Sequence, residues 1–213
     1  MKLFKVLFLG ILSFGVLFAG DLKEGEDYII LKNPIKNTEN SVIELFNVGC
    51  PHCEYFNKDL PKVLEFLPNS VAFYPYHLSA GVRLHEVFSE ILAVALNLDL
   101  DTGLSTKSNN SNFKKVTNLY FDLMHTKQKK WQSEDEFLSD GLAILGISSE
   151  EYKKILKDKN TQNTLKKWRD SMQYAEFQGV PSFIVNGKYM IVTKNISSTE
   201  DLIFKIDSLL EKK

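Results

Sequence analysis

The sequence predicts an α/β protein whose sheet is assembled from two separated pieces of chain, with a helical domain inserted after the second core strand. Three observations carry this. A β-branched, apolar run at Val42–Phe46 passes directly into a helical pattern, helical periods then occupy the chain from Ala80 to Phe177, and two short apolar runs joined by Asn186-Gly187 follow. Apolar residues make up 44% of the 213-residue chain, enough for a sizeable core. A formal net charge of −1 argues against a nucleic-acid partner.

Residues 1–20 read as a secretory signal peptide: Lys2 and Lys5, an apolar core from Val6 to Phe18, then small Ala19 and Gly20. That core is shorter than the roughly 20 apolar residues needed to cross a bilayer. Export brings the chain into an oxidising compartment. There, a protein with only two cysteines, three apart, is expected to use them for chemistry on other molecules.

Tyr28–Leu31 is a short strand before the turn Lys32-Asn33-Pro34. Val42–Phe46 is a buried strand, Gly49 allows a tight turn, and Pro51 suits the first position of a helix, where a missing N–H costs nothing. Phe56, Leu60, Val63, Leu64 and Leu67 continue that helix, with a kink expected at Pro61 and a stop at Pro68-Asn69. Val71–Tyr76 reads as the second core strand. A β-α-β unit of this kind has parallel strands and a right-handed crossover.

The insert opens with the stripe Leu84, Val87, Phe88, Ile91, Leu92, Ala95 and Leu98. A polar stretch from Ser105 to Asn112 reads as a mobile connector, and Phe113, Val116, Tyr120 and Leu123 form the next stripe. Ser133 with Glu136 and Ser148 with Glu151 are capping boxes opening two more helices. Leu165, Trp168, Met172 and Ala175 make the last stripe; Trp131 and Trp168 read as packing groups of this unit. The chain returns to strands over Gly179–Val192, with Asn186-Gly187 between two apolar runs as a hairpin turn. Ser198 and Thr199 cap a closing helix carrying Leu202, Ile206, Leu209 and Leu210. The order βαβ, helices, ββα is that of the thioredoxin fold, interrupted: residues 21–78 and 178–213 form its two parts, and 79–177 the inserted helical domain.

The chemistry concentrates in Cys50-Pro51-His52-Cys53. Cys50 sits at a helix N-terminus, where free N–H groups and the helix dipole favour an anion. An ordinary thiol of pKa about 8.5 is only a few per cent ionised at pH 7, so this placement favours a thiolate nucleophile. The His52 imidazole can add a donor or a charge, and the deeper Cys53 is suited to resolving a mixed disulfide. A zinc site is the alternative for a C-x-x-C pair, but His77, His85 and His125 are not at paired ligand spacing. A structural disulfide would close too short a loop to stabilise much. Glu44, in an otherwise apolar strand, either points to the surface by period-two alternation or is buried, protonated or water-linked, and titrates high.

The leader, Glu44 six residues before Cys-Pro-His-Cys, the helical insert, and Gly179-Val180-Pro181 before Phe183-Ile184-Val185-Asn186-Gly187-Lys188-Tyr189 together resemble the DsbA family of periplasmic thiol:disulfide oxidoreductases. The resemblance runs through essentially the whole chain after the leader. It implies a cis Pro181 facing the Cys50–Cys53 pair, with the Val180 backbone free to pair with an extended substrate. It also implies that Glu44 lies under Cys53 as its proton acceptor or donor. The expected catalytic set is therefore Glu44, Cys50, Pro51, His52, Cys53 and Pro181, with Val180 and Pro181 contacting substrate and the Cys50–Cys53 pair redox-active.

The activity implied is that of a monomeric periplasmic dithiol oxidase acting on unfolded or reduced exported proteins. No cofactor or metal is expected, and reoxidation falls to a membrane, quinone-linked partner of the DsbB type. A reductase or isomerase of the same fold and a peptide-binding chaperone module are the alternatives; the lack of a dimerisation module argues against an isomerase. In one place the chain departs from the family. Pro75 precedes Tyr76-His77 where well-known members carry a lysine, which leaves the proton route to Cys53 without its partner charge.

Overall fold

The computed structural model describes residues 21–212, so the leader read from residues 1–20 lies outside the described residues. Five strands form one mixed sheet: β1 (Tyr28–Ile30), β2 (Ser41–Phe46), β3 (Ala72–His77), β4 (Ser182–Val185) and β5 (Tyr189–Ile191), in the spatial order β1-β5-β4-β2-β3. Strands β2 and β3 pair in parallel, and α1 (Pro51–Phe66) connects them; every other pairing is antiparallel. All six residues of β2 are buried, because it is flanked by β3 and β4 and covered on both faces.

Helix α1 runs as one helix through Pro61 and buries Leu60, Val63 and Leu64, as the apolar spacing requires. After β3 come α2 (Arg83–Asp101), α3 (Asn112–Phe121), α4 (Glu134–Leu145), α5 (Ser149–Leu156) and α6 (Lys159–Asp170). Helix α2 buries Val87, Phe88, Ile91, Leu92, Val94 and Ala95, a wider stripe than a surface helix needs, and so acts as the hub of the insert. Ser133 and Ser148 accept the N–H groups of Glu136 and Glu151, as capping boxes should.

Three features of the insert differ from expectation. The polar connector after α2 is tied down: Thr106 Oγ1 donates to the Phe73 carbonyl at 2.7 Å and Lys107 Nζ to that of Pro68 at 2.8 Å. Helix α3 widens into a π turn at Asp122–Thr126. Helix α6 ends at Asp170 and a 3₁₀ segment, Ser171–Glu176, follows, which leaves Met172 exposed instead of on the apolar stripe. Both tryptophans pack: Trp131 meets Phe137 at 4.8 Å between ring centroids, and Trp168 lies against His77.

The hairpin between β4 and β5 turns at Asn186 and Gly187, both with positive φ (54° and 63°). A side chain at 187 would run into Thr38 Oγ1 and the Ile35 carbonyl, so only glycine fits. Helix α7 (Thr199–Leu210), capped by Ser198, buries Leu202, Ile206 and Leu209, and Thr199 Oγ1 donates to Asp59 of α1 at 2.8 Å. Among the described residues no helix is long and apolar enough to cross a membrane.

Candidate active site

Cys50 is the N-cap of α1 and Pro51 its first helical residue, so the sulfur lies where the helix has unpaired N–H groups. Both cysteines are free thiols, and Cys53 is fully buried. The Cys50 thiol is lowered to about 5, first by the S–H of Cys53 donating to it. Burial opposes this, and the backbone N–H groups of Cys53 and His52 reinforce it; the positive charge of His52 adds least. The His52 side chain is exposed and works on Cys50 chiefly through its backbone. Burial drives the Cys53 thiol far above the ordinary thiol range, and its neighbours Cys50 and Glu44 push the same way against the N–H of Asn47. One sulfur is thus an anion at neutral pH and the other a held proton.

The turn before Cys50 is braced by the three histidines weighed above as zinc ligands. Val48 N–H donates to His77 Nε2 at 3.0 Å, and His125 Nε2 lies 2.8 Å from the Val48 carbonyl. Because Val48 needs an acceptor, His77 carries its proton on Nδ1 and donates it to Ser89 Oγ at 2.7 Å. Burial holds His77 well below its usual pKa, in keeping with a neutral ring. Asn47 Oδ1 accepts the Gly49 N–H at 2.7 Å, while Asn47 Nδ2 donates to the Leu78 carbonyl and stands 3.1 Å from His85 Nδ1. A Cβ on Gly49 would strike the His85 ring, which explains the glycine better than turn geometry alone.

Glu44 is 3% exposed. It faces Pro75 across β3 and Phe183 across β4, so neither neighbouring strand gives it a polar partner. Burial raises its carboxyl to about 7, and the charge of Lys114 in α3 pulls it back down. Lys114 is 2% exposed, and burial lowers it to about 8. The charge that acts on Glu44 thus comes from the insert, where β3 places Pro75 opposite it. No motif marks Lys114 in the sequence.

Across from Cys50, the Val180-Pro181 peptide bond is cis, and the Val180 carbonyl oxygen lies 3.5 Å from the Cys50 sulfur. An open groove of about 560 Å³ beside them is lined by His52, Phe56, Phe177, Val180, Pro181 and Thr193. Gln178 fixes this loop: Nε2 reaches the Ile191 carbonyl at 2.8 Å, and Oε1 accepts the Thr193 N–H at 3.0 Å. Thr193 Oγ1 in turn donates to the Pro181 carbonyl at 3.0 Å. The structure thus brings Glu44, Cys50, Pro51, His52, Cys53, Val180 and Pro181 to one place and adds Lys114, Gln178 and the three histidines.

Residues 41–203 match the DSBA-like thioredoxin domain family. Over 215 residues, covering 99% of this chain and 97% of the relative, the sequence is 35% identical to the thiol:disulfide interchange protein DsbL of Escherichia coli. It is 28% identical over 197 residues to the DsbA of Pseudomonas aeruginosa, covering 91% and 87% of the two chains. The crystal structure of reduced DsbL superimposes with a TM-score of 0.84 at 36% identity, covering 90% of this chain and all of that one. The DsbL of Salmonella enterica serovar Typhimurium gives 0.82 at 33% identity, covering 92% of this chain and all of the other.

Proposed function

Since the chain belongs to the DSBA-like thioredoxin domain family and is a thiol:disulfide oxidoreductase, we propose that it works in the oxidising direction, introducing disulfide bonds into unfolded or reduced exported proteins. The observation that carries this reading is the asymmetry of the two sulfurs. A thiolate stabilised to about 5 at Cys50 favours the reduced enzyme, and a couple whose reduced form is favoured is an oxidant.

In the first step a substrate thiolate attacks Cys50 of the Cys50–Cys53 disulfide. The S–S bond breaks, its electron pair goes to Cys53, and Cys53 takes a proton, because burial makes it a poor anion. Glu44, titrating near 7, is the proton donor. In the second step another substrate thiolate attacks the substrate sulfur of the mixed disulfide, and Cys50 leaves readily as a stable thiolate. The substrate has gained one disulfide and the enzyme is left as the dithiol. Pro51 starts α1 and His52 gives its N–H to the Cys50 sulfur. The Val180 backbone and Pro181 form the bank on which extended substrate lies during attack.

Residues 1–20 act as the export leader to the periplasm, residues 21–78 and 178–213 as the two parts of the thioredoxin unit, and 79–177 as the insert. The protein works as a monomer without a cofactor, and a membrane partner of the DsbB type, linked to quinone, restores the disulfide. Equilibration with glutathione buffers tests the direction: an oxidase is expected to have a potential more oxidising than about −180 mV, and one below about −230 mV would make it a reductase. Loss of insulin reduction in Cys50→Ser separates either catalyst from a peptide-binding chaperone.

A further inference from the structure

Among the described residues two lysines, Lys114 and Lys205, are deeply enclosed, and they are not alike. Lys205 donates to the Asn195 carbonyl and to Asp201 and pairs with Asp27. Lys114 is enclosed as completely, yet its Nζ has no hydrogen-bond partner among the described residues. A buried ammonium without such partners is costly to keep, so the position calls for a reason.

The surroundings supply one. Lys114, Thr117 and Phe121 form one buried stripe along α3. Phe121 meets Phe46 at 6.3 Å between centroids, and Phe113 meets Phe73 at 6.2 Å, so α3 covers the sheet face that carries Glu44, Phe46, Phe73 and Pro75. Asn118 Oδ1 accepts from Asn57 Nδ2 at 2.8 Å, fixing α3 against α1 one turn beyond Cys53. Glu44 of β2 thus interacts with two buried titratable groups from other elements, Cys53 of α1 and Lys114 of α3. Strands β3 and β4 contribute Pro75 and Phe183 there, without charge. Asp99 of α2 is occupied by the N–H groups of Asn112 and Phe113, and the Phe113 ring lies 5.6 Å from the Lys114 nitrogen.

We infer that Lys114 is a positioning residue for proton transfer at Cys53: reaching in from the inserted helices, it provides the cation opposite Glu44 that β3, with Pro75 facing Glu44, does not. The inference rests on the reading of Glu44 as the proton partner of Cys53. During reoxidation by a disulfide, the Cys50 thiolate attacks one sulfur of the oxidant, and the other sulfur leaves as a thiolate. Cys53 then passes its proton to the Glu44 carboxylate and bonds to the Cys50 sulfur, releasing the second thiolate of the oxidant. Glu44 can accept only while it is ionised. Its burial opposes ionisation and Lys114 favours it, so the lysine sets the pH above which ring closure runs.

Ring closure is measured on the full chain after loading Cys50 with glutathione, between pH 5 and 9. Lys114→Met should move the midpoint of the rate profile to higher pH by about one unit, a tenfold slowing at pH 6, and leave the alkylation midpoint of Cys50 in place. Glu44→Gln should abolish the inflection, the double variant should match Glu44→Gln, and Pro75→Lys added to Lys114→Met should return the midpoint toward wild type. If Lys114→Met keeps the wild-type midpoint while Glu44→Gln loses it, Lys114 has no part and Glu44 stands. If neither profile changes, the Glu44 reading itself falls. Lys114→Gln, checked by circular dichroism, serves as a second neutral replacement should the methionine variant misfold, and a wild-type midpoint there overturns the inference equally.

Discussion

The Cys53 thiol donates its hydrogen to the Cys50 sulfur, so the buried cysteine lowers the proton affinity of the more accessible one. Cys53→Ala should therefore raise the Cys50 pKa from about 5 by roughly one to two units, since a hydrogen bond to an ionised group contributes about 1.5–3 kcal/mol. His52→Ala should raise it less, because the backbone N–H survives and only the weakest of the causes is removed. The pH dependence of iodoacetamide alkylation measures both. A larger effect from His52 than from Cys53 would reverse this ordering.

The reduced protein should melt at a higher temperature than the oxidised one at pH 7. Cys50 in the folded protein titrates near 5 and in the unfolded chain near an ordinary thiol value, so its folded pKa is depressed. Its contribution is complete above the unfolded pKa and is lost as pH falls to about 5. At pH 7 part of it remains; at pH 4 it is gone, and the two melting curves should converge. The disulfide has no thiolate to stabilise, and the short loop it closes returns little. Calorimetry at pH 4, 7 and 8.5 tests this, and a more stable oxidised form at pH 7 would contradict it.

His77→Phe should destabilise the fold by about 2–3 kcal/mol, because it strands the buried N–H of Val48 and removes the bond to Ser89. His125→Phe should cost about 1 kcal/mol, since it frees a single carbonyl at a partly exposed site. Urea denaturation resolves the two. Equal losses would mean that the histidines contribute by packing rather than through their bonds to Val48.

Gln178→Ala removes the bonds that join the Val180–Pro181 loop to Ile191 and Thr193. Peptide affinity in the groove should fall by about tenfold, the effect of roughly 1.4 kcal/mol, while the Cys50 alkylation midpoint stays in place. Titration calorimetry with a short cysteine-containing peptide gives the first quantity and alkylation the second. A moved midpoint with intact affinity would assign Gln178 to the sulfur instead of the substrate.

How much of this was legible from the sequence depends on how local each signal is. Cys50, Pro51 and Cys53 are readable because a turn, a helix start and a C-x-x-C lie within a few residues of one another. Glu44 is readable because an acid stands out in an apolar strand. Lys114 is not: a lysine beside the stripe Phe113, Val116 and Tyr120 looks like a solvated face, and only the packing of α3 on the sheet turns that second stripe inward. His77, His85 and His125 come from three places in the chain and meet only at Val48, Gly49 and Asn47, so no spacing rule joins them. The apolar period puts Met172 on the last stripe, but period alone does not distinguish an α-helix from the 3₁₀ segment that replaces it after Asp170.

Strand β3 is an outer strand of the sheet. The N–H groups of Ala72 and Leu78 bond inward, to Asn40 and Phe46, so by alternation those of Phe73 and His77 and the nitrogen of Pro75 face outward. On that outer rim the Phe73 carbonyl is taken by Thr106 and Pro75 has no hydrogen to give. A continuous ladder with a foreign strand is thereby interrupted at its middle. The border therefore offers a second copy of the chain no unbroken row of partners, a guard against edge-to-edge association.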